Sequence, residues 1–240
     1  MKKINLSLTI CMFFLLQFCY AESYHLSNDF SSTNNPNKVW SYGFLNNQGV
    51  EFKLLNKSKN FNGSPDEIAW WIANTSNPSI CKNPTDKDIS FTTVSISPHS
   101  VAFHPGPNGE NAVIRWTAPK NGTYLINVIA KGIDYVGPTT SEVSILHNNQ
   151  MIWNVLINNF NEPNAFSKKL LVSLGDFVDF TCEFGSNGDY YYDTTAIDIT
   201  ITKFDECNIL NSNIKVDYNG DCKVDIKDAI YVLKSLSGIH

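Results

Sequence analysis

Twelve residues near the C-terminus, Asp217-Tyr218-Asn219-Gly220-Asp221-Cys222-Lys223-Val224-Asp225-Ile226-Lys227-Asp228, place oxygen side chains at loop positions 1, 3, 5, 9 and 12. That spacing wraps a chain around a hard cation. Calcium takes about 6–8 oxygens at ~2.4 Å, and a loop of alternating ligands supplies them locally. Asp217, Asn219 and Asp221 each offer a side-chain oxygen. Lys223 offers its backbone carbonyl, Asp225 a direct or water-bridged oxygen, and Asp228 closes the shell from the first turn of the next helix. The expected cofactor is Ca2+; a solvated acidic turn has no reason to keep these ligands in register.

Asp217, Asn219, Gly220, Asp221, Lys223, Val224, Asp225 and Asp228, with the apolar helix after them, resemble one calcium repeat of a dockerin. An ordinary EF-hand closes its loop with a bidentate Glu; Asp in that place, without an entering helix, is the dockerin habit. The resemblance implies calcium binding and a cohesin-like extracellular partner. Three departures bear on the partner. One repeat is present where a dockerin has two. Cys222 stands where Gly would turn without steric cost. Ile226-Lys227 stands where many cohesin-binding dockerins carry a Ser/Thr pair. The helix itself is legible: Ile226, Ala229, Ile230, Leu233 and Leu236 form one apolar face, and Gly238 is a C-terminal stop. So short a helix must pack on a partner or on its own chain.

A second group of residues suits a sugar, which is held by flat aromatic faces and by polar groups on its hydroxyls. The loop His104-Pro105-Gly106-Pro107-Asn108-Gly109-Glu110 offers His104, Asn108 and Glu110 on a stiffened turn. Asp189-Tyr190-Tyr191-Tyr192-Asp193 mixes aromatics with carboxylates; Tyr190, Tyr192 and Asp193 are the candidates there, if alternation in a strand exposes them. Trp40 and Trp71 are candidate platforms. Trp70 and Trp71 are adjacent, so a strand would turn them to opposite faces and one of them would leave the core. Trp116 and Trp153 read as core. Asp29, Asp193 and Asp198 are candidate ligands of a second cation.

Catalytic signatures are missing: no H-E-x-x-H, no G-x-S-x-G, no phosphate loop. The expectation is a non-enzyme with no catalytic residues. The alternative is a glycoside hydrolase or another component of extracellular polysaccharide breakdown, drawing a carboxylate pair from Glu51, Glu110, Asp134, Glu142 and Asp179.

Residues 1–21 read as a secretory signal: Lys2 and Lys3, an apolar run from Leu6 to Phe18, and a small-residue cleavage site at Ala21. The expected location is extracellular, with no membrane span. The net charge is −5, and it becomes −7 once Lys2 and Lys3 are removed. No basic stripe exists, so nucleic acid is not the expected partner. Cys81, Cys182, Cys207 and Cys222 remain after cleavage, and four cysteines allow three connectivities. Cys207–Cys222 would close a loop of about 15 residues, worth ~3 kcal/mol in the chain-entropy model. That leaves Cys81–Cys182, or two buried thiols.

These groups need a scaffold, and residues 22–204 read as a jelly-roll or β-sandwich of about ten short strands. Tyr124, Ile126, Val128 and Ala130 alternate with other residues, as do Val178, Phe180, Cys182 and Phe184, and Ile197, Ile199 and Ile201. Asn148-Asn149 predicts a hairpin, and Pro119-Lys120-Asn121-Gly122 a turn between strands. Residues 56–66 and 74–90 read as loops, and residues 205–240 as a linker and a calcium loop–helix module. The pieces Asn35-Pro36-Asn37-Lys38-Val39-Trp40-Ser41-Tyr42-Gly43, His104 to Glu110, Arg115-Trp116-Thr117-Ala118-Pro119 and Tyr192-Asp193-Thr194-Thr195 resemble a module of secreted bacterial proteins. That module is similar to carbohydrate-binding jelly rolls, which implies a polysaccharide or glycan as the ligand.

Overall fold

The computed structural model of the protein describes residues 22–46, 51–56, 68–73, 76–204 and 226–237. In chain order its strands are β1 (Ser23–His25), β2 (Trp40–Leu45), β3 (Phe52–Leu54), β4 (Ala69–Ala73), β5 (Ser76–Lys82), β6 (Ile89–Phe91), β7 (Val94–Ile96) and β8 (Val101–His104). Then follow β9 (Asn111–Thr117), β10 (Gly122–Gly132), β11 (Ser141–His147), β12 (Gln150–Leu156), β13 (Asn164–Val172), β14 (Phe177–Phe184) and β15 (Thr195–Phe204). Helix α1 (Leu26–Asp29) follows β1, and helix α2 (Ile226–Ser237) follows β15.

Two antiparallel sheets face each other. One runs β13-β10-β15-β8-β5-β4, with β1 also on β15; the other runs β12-β11-β14-β9-β2-β3. From β8 to β11, and again from β12 to β15, successive strands change sheet, as a jelly roll requires. The segment 118–121 is therefore a crossing between sheets. Asn148 and Asn149 close the β11–β12 hairpin, both at positive φ, the backbone of a type I′ turn.

The predicted two-residue period holds where it was read. Tyr124, Ile126, Val128 and Ala130 from β10, Val178, Phe180 and Cys182 from β14, and Ile197, Ile199 and Ile201 from β15 all enter the core between the sheets. Trp40, Tyr42 and Trp116 join them without exposure. Trp40 is thus a core residue and no platform; its Nε1 donates to Asp29 Oδ2 at 3.3 Å.

The outer face of β14 is drier than alternation predicts. Asp179 is buried there because Arg115 reaches across from β9 with a two-pronged pair, at 2.6 and 2.7 Å. The guanidinium lies 3.9 Å from the ring centroids of both Phe52 and Phe177. Two aromatic rings and one arginine thereby cover a carboxylate.

The segment 74–90 is not all loop. It contains β5, which lies between β4 and β8, and the first two residues of β6. Its Asn-, Ser- and Pro-rich look comes from a local interruption. On β4, Ile72 faces Ser79 and Ala73 faces Ser76, so Asn77 and Pro78 stand out of the ladder. A proline is tolerated in a strand at such a bulge. Beyond it, Ile80 and Cys81 are buried on opposite faces.

That alternation also rules out Cys81–Cys182. Both are free, buried cysteines. Cys182 points into the core between the sheets, whereas Cys81 belongs to a second core on the outer side of the β4–β5–β8 sheet. A layer of backbone separates them, and a disulfide needs neighbouring, facing Cβ atoms. Burial pushes the Cys81 thiol up to about 12 and that of Cys182 well above its ordinary value. Cys207 and Cys222 lie outside the described residues.

The expected calcium ligands Asp217, Asn219, Asp221, Lys223 and Asp225 also lie outside the described residues, as do residues 1–21. Helix α2 begins at Ile226, so Asp228 falls in its first turn. On the apolar face of α2, Ile226, Ile230 and Leu233 are exposed. Among the described residues no helix is long and apolar enough to cross a membrane.

Candidate functional site

The second core begins as a row of directly paired residues. Trp70 on β4 faces Cys81 on β5, which faces Ala102 on β8, which faces Ala196 on β15. All four are buried on the outer side of that sheet. Three small side chains in the row leave room for the β6–β7 hairpin to settle on it, through Ile89 and Ile96, with Phe91 beside Trp70. The Trp70 and Phe91 rings meet edge to face at 5.9 Å.

Trp71 faces the opposite way. It lies in the main core, where its Nε1 donates to the Ser31 carbonyl at 2.7 Å. Neither of the adjacent tryptophans is surplus, because the sheet has a core on each side. Trp71 is therefore no exposed platform, and Trp70, the other member of the pair, is also buried and borders a cavity.

That cavity, of about 230 Å³, opens between the hairpin, the ends of β5 and β8, and the loop 185–194. Its aromatic walls are Trp70, Phe91, Tyr190, Tyr191 and Tyr192, with His104 at its side. Tyr190 and Tyr191 pack at 4.5 Å, and Tyr190 meets His104 edge to face at 6.0 Å. Residues 190–192 are loop and not strand, so alternation does not sort them, and all three tyrosines reach the same hollow. The backbone carries two non-glycine residues at positive φ at this rim, Thr92 at 50° and Tyr192 at 64°. For a β-branched residue such a φ is strained, and strain of this kind collects at functional sites. Gly185 lets the loop press on its neighbour: a Cβ there would lie 1.4 Å from the Thr140 carbonyl oxygen.

Asp134 ties the site together. Its Oδ1 accepts from Thr93 Oγ1 at 2.6 Å, and its Oδ2 accepts from the Thr194 amide at 2.8 Å. Tyr135 N donates to the Thr93 carbonyl at 2.8 Å, and Tyr135 Oη to that of Thr92 at 3.0 Å. The hairpin tip is thus bonded to the segment after β10, and through Asp134 to Thr194 just before β15.

Comparison with known proteins gives partial likenesses only. No family model and no curated protein matches the chain. Among solved structures, rabbit GITRL superposes with a TM-score of 0.28 at 18% identity, over 38% of this chain and 71% of that one. The CBM51 from Clostridium perfringens GH95, in complex with methyl-galactose, gives 0.37 at 10% identity, over 56% and 94%. A family 35 carbohydrate binding module from Clostridium thermocellum gives 0.29 at 16% identity, over 42% and 75%.

The remaining sequence candidates fall in different places. His104, Tyr190 and Tyr192 line the cavity; Asn108 and Glu110 do not. Glu110 instead closes its own turn, accepting from the Asn108 amide at 2.9 Å and from Asn108 Nδ2 at 3.0 Å. Asp193 is fully buried. Its Oδ1 accepts from the amide and hydroxyl of Thr140, and its Oδ2 has no partner. Burial, with Asp189 and Asp134 adding like charge, pushes the Asp193 carboxyl up to about 7. It anchors the tyrosine loop from behind and does not reach the cavity.

The second-cation set is dispersed. Asp29 Oδ2 accepts from the His25 amide and Trp40 Nε1, Asp193 is buried, and Asp198 is exposed on β15. Among the described residues no group of three or more His, Cys, Asp or Glu is arranged to hold a metal. The hydrolytic set is likewise spread: Asp179 pairs with Arg115, Glu142 accepts from Asn154, Glu51 lies beside Lys53, and of the five only Asp134 lines the cavity.

Sequence reasoning missed Trp70, Phe91, Thr93, Tyr191 and Asp134 as one site. The signal available was the Tyr190-Tyr191-Tyr192 run. What it lacked was the β6–β7 hairpin, whose strands are three residues each.

Proposed function

We propose that the protein is an exported, non-catalytic glycan-binding module whose ligand enters the Trp70–Tyr191 cavity. The observation that carries this reading is the composition of that cavity: aromatic faces on several sides, with Ser79, Thr93 and His104 as hydrogen-bonding groups among them. Apolar C–H faces of a sugar match the first, and its hydroxyls match the second. No acid–base role is assigned, because both oxygens of Asp134 already accept from the chain and Asp193 is sealed away. A screen of the full chain against a glycan array, with calcium and with a chelator, tests the reading. Specific binding supports it; a blank array in both conditions refutes it.

The proposal keeps calcium for residues 217–228, where the start of α2 at Ile226 suits a loop closed by Asp228. A second reading, assembly with an extracellular protein of the cohesin type, is favoured by the exposure of Ile226, Ile230 and Leu233. Chelation that releases such a partner from the intact chain would support it.

A further inference from the structure

The volume and charge of the cavity narrow its ligand. We propose that it takes a single uncharged sugar ring, from a chain end or a branch, and rejects acidic sugars; this rests on the glycan reading above.

Size sets the first limit. At about 230 Å³ the cavity is smaller than the ~300–1,000 Å³ of sites that enclose drug-sized ligands. One ring fits; a run of several does not.

Charge sets the second. Among the described residues no lysine or arginine lines the cavity. Asp134 stands in its wall, and Asp189 and Asp193 lie close enough for Asp193 to respond to both of the other carboxylates. A sugar carboxylate would lose its water, find no cation, and meet like charge.

His104 does not supply the missing cation. A carbonyl can only accept, so the 2.8 Å bond between His104 Nδ1 and the Pro105 oxygen places the ring proton on Nδ1. Burial also lowers the tendency of this imidazole to take a second proton. His104 lines the cavity, and its Nε2 then carries a lone pair, an acceptor for a hydroxyl proton. A hydroxyl donates to such an atom; a carboxylate repels it.

The test uses the intact chain and a glycan selected by the array. Calorimetric titration compares that glycan with the same molecule after oxidation of its terminal C6 alcohol to a uronate, which keeps ring and linkage and adds one charge. The uronate is expected to bind at least about tenfold more weakly at pH 7.5. Equal or tighter binding of the uronate overturns the charge inference and leaves the glycan reading standing. Tyr191→Ala separates the two levels: if this variant binds the neutral glycan as the wild type does, the cavity is not the site, and both proposals fall.

Discussion

The rings of His104 and Tyr190 meet edge to face with centroids 6.0 Å apart, although the residues come from a sheet strand and from a loop 86 positions later. This contact joins the rigid wall of the cavity to its irregular wall. On the sheet side, His104 faces Ser79 across β8 and β5. On the loop side, Tyr190 stacks on Phe184 at the end of β14, and Asp189 Oδ1 holds the Tyr191 amide at 2.9 Å. A site built this way keeps its geometry without a ligand, which reduces the ordering cost of binding.

Trp71 and Tyr191 separate stability from binding. Trp71→Ala removes a large side chain from the main core and is expected to cost about 3–5 kcal/mol. Tyr191 is 61% exposed, so Tyr191→Ala should shift stability by less than about 0.5 kcal/mol. Urea unfolding of both variants checks the pair of values.

The buried pair on the other sheet gives a further test. Arg115→Met leaves Asp179 charged and buried without its partner, and a loss of about 3–5 kcal/mol is expected. Replacing both residues by apolar ones of similar shape should recover most of that loss. Thermal unfolding of the single and double variants measures it.

Asp193 makes stability depend on pH. Its folded-state value is raised to about 7, against roughly 3.9 in an unfolded chain. The folded state therefore holds the extra proton, and its stabilising contribution is complete below about pH 4 and is lost as pH rises through 7. His104 acts in the opposite sense, since its lowered value costs stability as pH falls below about 6.5. Between pH 6.5 and 8, the melting temperature should fall in the wild type and stay nearly flat in Asp193→Asn. Asp134 and Asp189 are the carboxylates that face the same group.

The proposed calcium loop is tested through the helix after it. Asp217→Ala, or a chelator added to the wild type, should abolish calcium binding and reduce the circular-dichroism signal of α2. Unchanged helicity on chelation would show that the helix does not depend on the metal.

How much of this was legible follows from which forces are local. The sandwich showed in Tyr124 to Ala130 and Ile197 to Ile201 because a sheet with a dry face imposes a two-residue period. Trp70-Trp71 was misread because the rule of one dry face fails where a hairpin covers the other side. β5 was hidden by Pro78, since the bulge that admits a proline is set by pairing with β4, which composition does not carry. The cavity joins residues 70 to 194, and only His104 and the tyrosine run announced it. Cys81 and Cys182 showed an even count and nothing of the sheet between them.

The central claim is that the ligand sits among Trp70, Tyr191 and His104. The most direct measurement is the affinity of wild-type and Tyr191→Ala full-length protein for the glycan selected by the array. Loss of one aromatic wall should weaken binding at least about tenfold, near 1.4 kcal/mol. Equal affinity in the two proteins would place the ligand elsewhere and contradict the account.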